Sequence, residues 1–86
     1  MTSEELYQEI QFRTDMARFG YVDPWKNRSI ISTFEGLFEA DPECLTKARI
    51  LNHVFSVYGV EGVEMGTIVA VTDILFDHFH NLKPLP

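Results

Sequence analysis

Val63-Glu-Met-Gly-Thr-Ile-Val-Ala-Val-Thr-Asp-Ile-Leu-Phe-Asp-His-Phe-His-Asn-Leu82 is the stretch whose reading decides the fold. Thr67, Ile68, Val69, Val71 and Thr72 are β-branched, stiff at χ1, and would suit a strand. Against that, no turn signal follows Gly66, and Ile68, Val71, Leu75, Phe79 and Leu82 recur with the helical period. Length favours a helix from Val63 to about Leu82, central and buried on most sides. A strand over Thr67–Val71 stays as the open alternative. Gly62 and Gly66, four residues apart, would permit close approach of another helix or mark a loose helix start. Beyond Leu82, Lys83-Pro84-Leu85-Pro86 reads as an extended tail.

Upstream, the pairs Asp23-Pro24 and Asp41-Pro42 cut the chain into helix-sized pieces, because Asp accepts from free N–H groups at a helix start and Pro fits the first turn. The first helix starts at Thr2 or Ser3, where Thr2 and Glu5 have the spacing of a capping box and Glu4 and Glu5 suit the positive end of the dipole. Leu6, Ile10 and Ala17, with Phe12, Met16 and Phe19 on a neighbouring line, make one apolar stripe that Gly20 is expected to close. A second helix starts at Asp23 or at Ser29, the earlier start being preferred, and carries Ile30, Ile31, Phe34, Leu37 and Phe38. A third opens at Asp41-Pro42-Glu43 and places Cys44, Ala48, Leu51, Phe55 and Tyr58 on one face, widened by Ile50, Val54 and Val57, before Gly59 ends it. The pattern predicts an all-α single domain over residues 1–82, a bundle of three to four helices. Its expected central core is Leu51, Phe55, Ile68, Val71, Leu75 and Phe79.

Size and composition bound the function. A chain of 86 residues hides only about 60–70% of its unfolded surface on folding. Its seven Phe, three Tyr and one Trp exceed what so small a core needs, and this predicts burial against a partner or a second copy of the chain. A formal charge of −6 argues against general nucleic-acid binding and favours basic partners. Cys44 has no second cysteine to pair with, and Met1–Ile10 shows no basic-then-apolar leader, which predicts a cytoplasmic protein. The most apolar run, Thr67–Phe76, falls well short of the roughly 20 residues a membrane span requires.

Three constellations are candidates for chemistry. Tyr21, Trp25, Lys26, Arg28 and Ser29 sit at a helix start, and four of the seven basic residues (Arg13, Arg18, Lys26 and Arg28) fall nearby. Free N–H groups, cations and stacking rings suit a small anion such as a nucleotide, held there or between subunits. The plain alternative is a solvated turn that Trp25 anchors to the core, since no glycine-rich phosphate loop accompanies the charges. Asp73, Asp77 and His80 share a helix face, with His53 on the preceding helix, and are weak candidates for a metal. Cys44 in the first turn of a helix would have a lowered pKa, but His53 is about 13 Å away by helical rise, too far to act as its base.

No paired carboxylates show the separated environments that acid–base catalysis requires. The reading is therefore a small acidic non-enzymatic binding protein without a cofactor, acting by occupying a partner protein. Inhibitors, adaptors and virus-encoded accessory proteins of phage type are of this kind. Homo-oligomerisation is expected, and the anionic-ligand binder is the alternative. From Glu35 onward acidic residues outnumber Lys47, Arg49 and Lys83, so the second half is expected to carry the negative field.

Overall fold

Each of the first three helices begins where a side chain can take up its free N–H groups. The computed structural model describes residues 2–82; the expected tail over 83–86 lies outside the described residues. Helix α1 spans Ser3–Asp15, α2 Pro24–Ala40, α3 Lys47–Tyr58 and α4 Met65–Leu82, with a 3-10 turn over Pro42–Cys44. Among the described residues there is no strand, so the β-branched run of α4 is helical. At α1 the capping box forms, Thr2 accepting from the Glu5 N–H at 3.1 Å and Glu5 accepting from the Thr2 N–H at 3.0 Å. Asp23 caps α2 by accepting from the Trp25 N–H at 2.9 Å, which settles the earlier of the two starts.

Helix α4 is the centre of the bundle and packs against both α1 and α3. Both neighbours run antiparallel to it. The Arg18 N–H beyond the end of α1 donates to Glu64 just before α4 at 3.0 Å, and Lys47 at the start of α3 pairs with Asp73 in the middle of α4 at 2.8 Å. Helix α2 closes the back, packing on α1 and, through Phe34 and Phe38, on Phe79, with ring centroids 6.4 and 5.6 Å apart. The core is one continuous cluster that includes Leu6, Ile10, Ile30, Phe34, Val54, Val71 and Leu75. Burying each such side chain contributes roughly 1.5–3 kcal/mol before conformational entropy is charged against it.

A polar side chain ties the core together. Asn27 of α2 is fully buried, and its amide donates to Gln11 Oε1 at 2.8 Å and to Thr14 Oγ1 at 3.2 Å on α1. Its carbonyl oxygen accepts from the hydroxyl of Tyr58 on α3. The buried amide is thus satisfied from both sides, as a polar group out of water must be.

Several boundaries and faces differ from the sequence expectation. Helix α1 ends at Asp15, well before Gly20. Its buried line is Leu6, Ile10 and Thr14, and Phe12, Met16 and Phe19 point outward. Gly20 serves instead at a close crossing: its φ is +88°, and a Cβ there would lie 2.7 Å from the Val63 backbone. The Asp41-Pro42 pair opens only the 3-10 turn, and α3 starts afresh at Lys47 under a Thr46 cap. Of the expected stripe only Tyr58 lies fully inside, and the core face is the widening line Ile50 and Val54. Ile50, Val54 and Tyr58 face inward because Tyr58 has a partner there, so Leu51 is only half-buried and Phe55 is exposed. Gly59 caps α3 as expected, but the left-handed residue is Gly62 with φ +75°, which lets the Val63 N–H return to the Tyr58 carbonyl at 3.2 Å. A Cβ at Gly62 or Gly66 would meet no atom of another part of the chain within 4 Å, so neither marks a tight helix contact.

Candidate functional site

The residues grouped by sequence at Tyr21–Ser29 separate in three dimensions. Lys26 forms an ion pair with Glu61 from the α3–α4 turn. Arg28 points the other way, onto α1, where its two terminal nitrogens reach the Glu4 carboxylate at 3.3 and 3.4 Å and its guanidinium lies 3.7 Å from the centre of the Tyr7 ring. The hydrogen bonds to Glu4 hold the Arg28 pKa above its ordinary value. Trp25 does not anchor the loop, because 77% of it is exposed, and Tyr21 is 69% exposed.

Trp25, Lys26 and Ser29 do come together. With Ser32 and Thr33 they line an open depression of about 580 Å³ on α2. A second depression, about 350 Å³, shares Lys26, Ser29 and Thr33 and extends across to His53, Ser56, Val57 and Val60 of α3 and its turn. Through these shared residues the two make a groove along α2, the first depression bordered by Trp25 on α2 alone and the second reaching α3 and Val60. Tyr21 and Arg28 do not line it.

The metal candidates are dispersed. Asp73 is taken up by Lys47, whose pKa is raised by that contact. His80 stacks on Phe76 with centroids 5.6 Å apart, and His53 sets its ring edgewise to Phe34 at 5.1 Å. Among the described residues no three His, Cys, Asp or Glu side chains converge on a point that could hold an ion. Cys44 is half-buried in the 3-10 turn rather than in a helix with His53, and its sulfur lies 3.7 Å from the Leu37 carbonyl.

A second surface was not evident from the sequence. Phe12 and Met16 on α1 are 62% and 64% exposed, Met65 and Val69 on α4 are 55% and 43% exposed, and Phe55 on α3 is 49% exposed. Phe12 and Arg13 meet Ala70, Asp73 and Ile74 across the α1–α4 seam. With α1 antiparallel to α4, Met16, one turn beyond Phe12, comes level with Met65 and Val69. With α3 antiparallel to α4 and Lys47 on Asp73, Leu51 and Phe55 lie one and two turns along, beside Val69 and Met65. Three helices thus present one apolar face, with α4 at its middle. The signal for it was the separation of Leu6 and Ile10 from Phe12 and Met16 by more than a helical quarter-turn, which merging them into one stripe concealed.

Comparison with protein-family models, curated proteins and solved structures finds no match to this chain. No helix among the described residues is long and apolar enough to cross a membrane.

Proposed function

We propose that this chain is a non-enzymatic binding protein that acts by occupying a partner protein through the α1–α4–α3 face. The observation that supports this reading is the exposure of Phe12, Met16, Phe55, Met65 and Val69, which the antiparallel order of α1, α4 and α3 brings to one side by helical register. Solubilising charge needs no such anchors, whereas interface centres are enriched in aromatic side chains and Met. At their fractional exposures these five side chains leave on the order of 500 Å² of apolar surface in water, near the upper end of what a monomer tolerates in one patch. That is a large share of the roughly 800 Å² each partner contributes to a standard interface.

Charge favours a basic partner. Glu9, Glu35, Glu39 and Asp77 gather towards the end of the bundle where α1 begins and α2 and α4 finish: Ser3 donates to Glu35, and Glu9 and Asp77 border one depression. A field of one sign steers encounter and makes association weaken with salt. A second copy of the chain is the competing occupant.

The test is affinity capture from host extract with the native chain and with a Phe12→Asp/Val69→Asp variant, whose changed side chains are exposed and leave the melting curve in place. The expected result is a protein retained by the native chain at low salt, released as salt rises, and absent from the variant. Equal retention by both would contradict the reading, and sedimentation that shows only a native dimer abolished by the variant would assign the face to self-association.

A further inference from the structure

We propose that the groove along α2 is a separate binding site for a neutral sugar ring. Trp25 would stack on the ring face, and Ser29, Thr33 and Lys26 would take its hydroxyls. Trp25 forms one wall and has most of its surface in water. An exposed indole at the edge of a concavity is a large rigid platform for the C–H face of a ligand. Ser29 and Thr33 lie four residues apart on one face of α2 and border both depressions, so two hydroxyls that can donate or accept stand a helical turn apart along the groove. The larger depression, about 580 Å³, falls inside the roughly 300–1,000 Å³ range of small-molecule sites.

The charge state selects the ligand class. Lys26 is the cation of this groove, and it is already paired with Glu61. A phosphate or carboxylate drawn to Lys26 would stand beside the Glu61 carboxylate already paired with it, and that like charge opposes binding. A neutral sugar hydroxyl can accept from another N–H of the Lys26 ammonium without bringing a second negative charge to Glu61, so the pair stays intact. The ring could come from a free sugar or from a glycan chain, and these share the chemistry that Trp25 and the hydroxyls would recognise. The site is built on the α2 side of α3 and does not depend on the apolar face proposed for a partner protein.

The chain has one Trp, so indole emission reports the surroundings of Trp25. The experiment follows Trp25 emission of the full chain during titration with glucose, methyl α-mannoside, maltose and diacetylchitobiose, and in parallel with AMP. At least one saccharide is expected to give a saturable shift in the millimolar range that raised salt leaves unchanged. A Ser29→Ala/Thr33→Ala variant, which keeps Trp25 and the bundle, is expected to weaken it about tenfold or more. A response to monosaccharide and disaccharide alike assigns a free sugar, and a response to disaccharides alone assigns a glycan chain. No saturable shift with any saccharide up to about 50 mM overturns the proposal. So does a shift with AMP alone that salt abolishes, or saccharide binding that the double variant retains in full. The Phe12→Asp/Val69→Asp variant should bind sugar as the native chain does, which separates failure here from failure of the partner-binding face.

Discussion

Tyr58 of α3 donates its phenolic hydrogen to Oδ1 of Asn27 on α2, and both side chains are completely buried. The same Asn27 amide donates to Gln11 and Thr14 on α1. One residue thereby ties three helices in register, and a slip of any of them would leave a buried polar group without a partner. This explains why α3 turns Tyr58 inward and Phe55 outward: the inward position comes with an acceptor, and only Tyr can use it.

Tyr58→Phe keeps the ring and removes the donor, leaving Asn27 Oδ1 unsatisfied. Urea unfolding followed by circular dichroism should show a loss of about 1–3 kcal/mol. For a domain of this size each lost kcal/mol should lower Tm by roughly 4–8 °C. An unchanged midpoint would mean that the hydrogen bond contributes nothing.

The same residue sets an alkaline limit. Burial pushes the Tyr58 phenol well above its ordinary value of 10.0. A group whose folded pKa is raised stabilises fully below the unfolded pKa and ceases to do so as pH climbs towards the folded one. Stability should therefore fall above about pH 10, and that part of the slope should vanish in Tyr58→Phe when the two are unfolded side by side.

His78 acts at the opposite end of the scale. Burial holds its pKa below the ordinary 6.5, with Glu35 opposing the shift. A histidine that resists protonation in the fold gives up stability as pH falls, because the unfolded chain binds the proton more readily. Melting curves below about pH 6.5 should descend more steeply for the native chain than for His78→Gln, and parallel curves would remove His78 from the account.

Two glycines should respond in opposite directions to the same change. Gly20→Ala puts a methyl group into the Val63 backbone at a φ of +88°, where strain alone costs on the order of 1–3 kcal/mol. Gly36, inside α2 with nothing within 4 Å of a Cβ, should gain about 0.5–1 kcal/mol on becoming Ala. Equal effects in the two melting curves would contradict the close crossing of the α1–α2 loop over Val63.

How much of this was legible in the sequence depends on where the deciding force is local. Caps are local: Thr2 with Glu5, and Asp23 before Pro24, located two helix starts because the hydrogen bonds lie within one turn. The period of Ile68, Val71, Leu75 and Phe79 outweighed the strand preference of their β-branched neighbours, since burial on several sides of α4 outweighs propensity. Facing was not local. Which of Phe55 and Tyr58 turned inward depended on Asn27, thirty-one positions from Tyr58, and the end of α1 depended on the capture of the Arg18 N–H by Glu64. The Tyr21–Ser29 group failed to converge for the same reason. Lys26 and Arg28 found distant acidic partners on opposite sides of α2, whereas Lys26 and Ser29 border a depression shared with Ser56 and Val57 of α3 that sequence spacing did not connect to them.

The measurement that tests the central claim most directly is chemical-shift mapping of the backbone amides as a captured, purified partner is added. The account predicts that the largest changes fall on residues 12–16, 51–55 and 65–69, the three segments of the apolar face. Changes confined to the acidic end of the bundle or to the Trp25 groove, with those segments undisturbed, would contradict it.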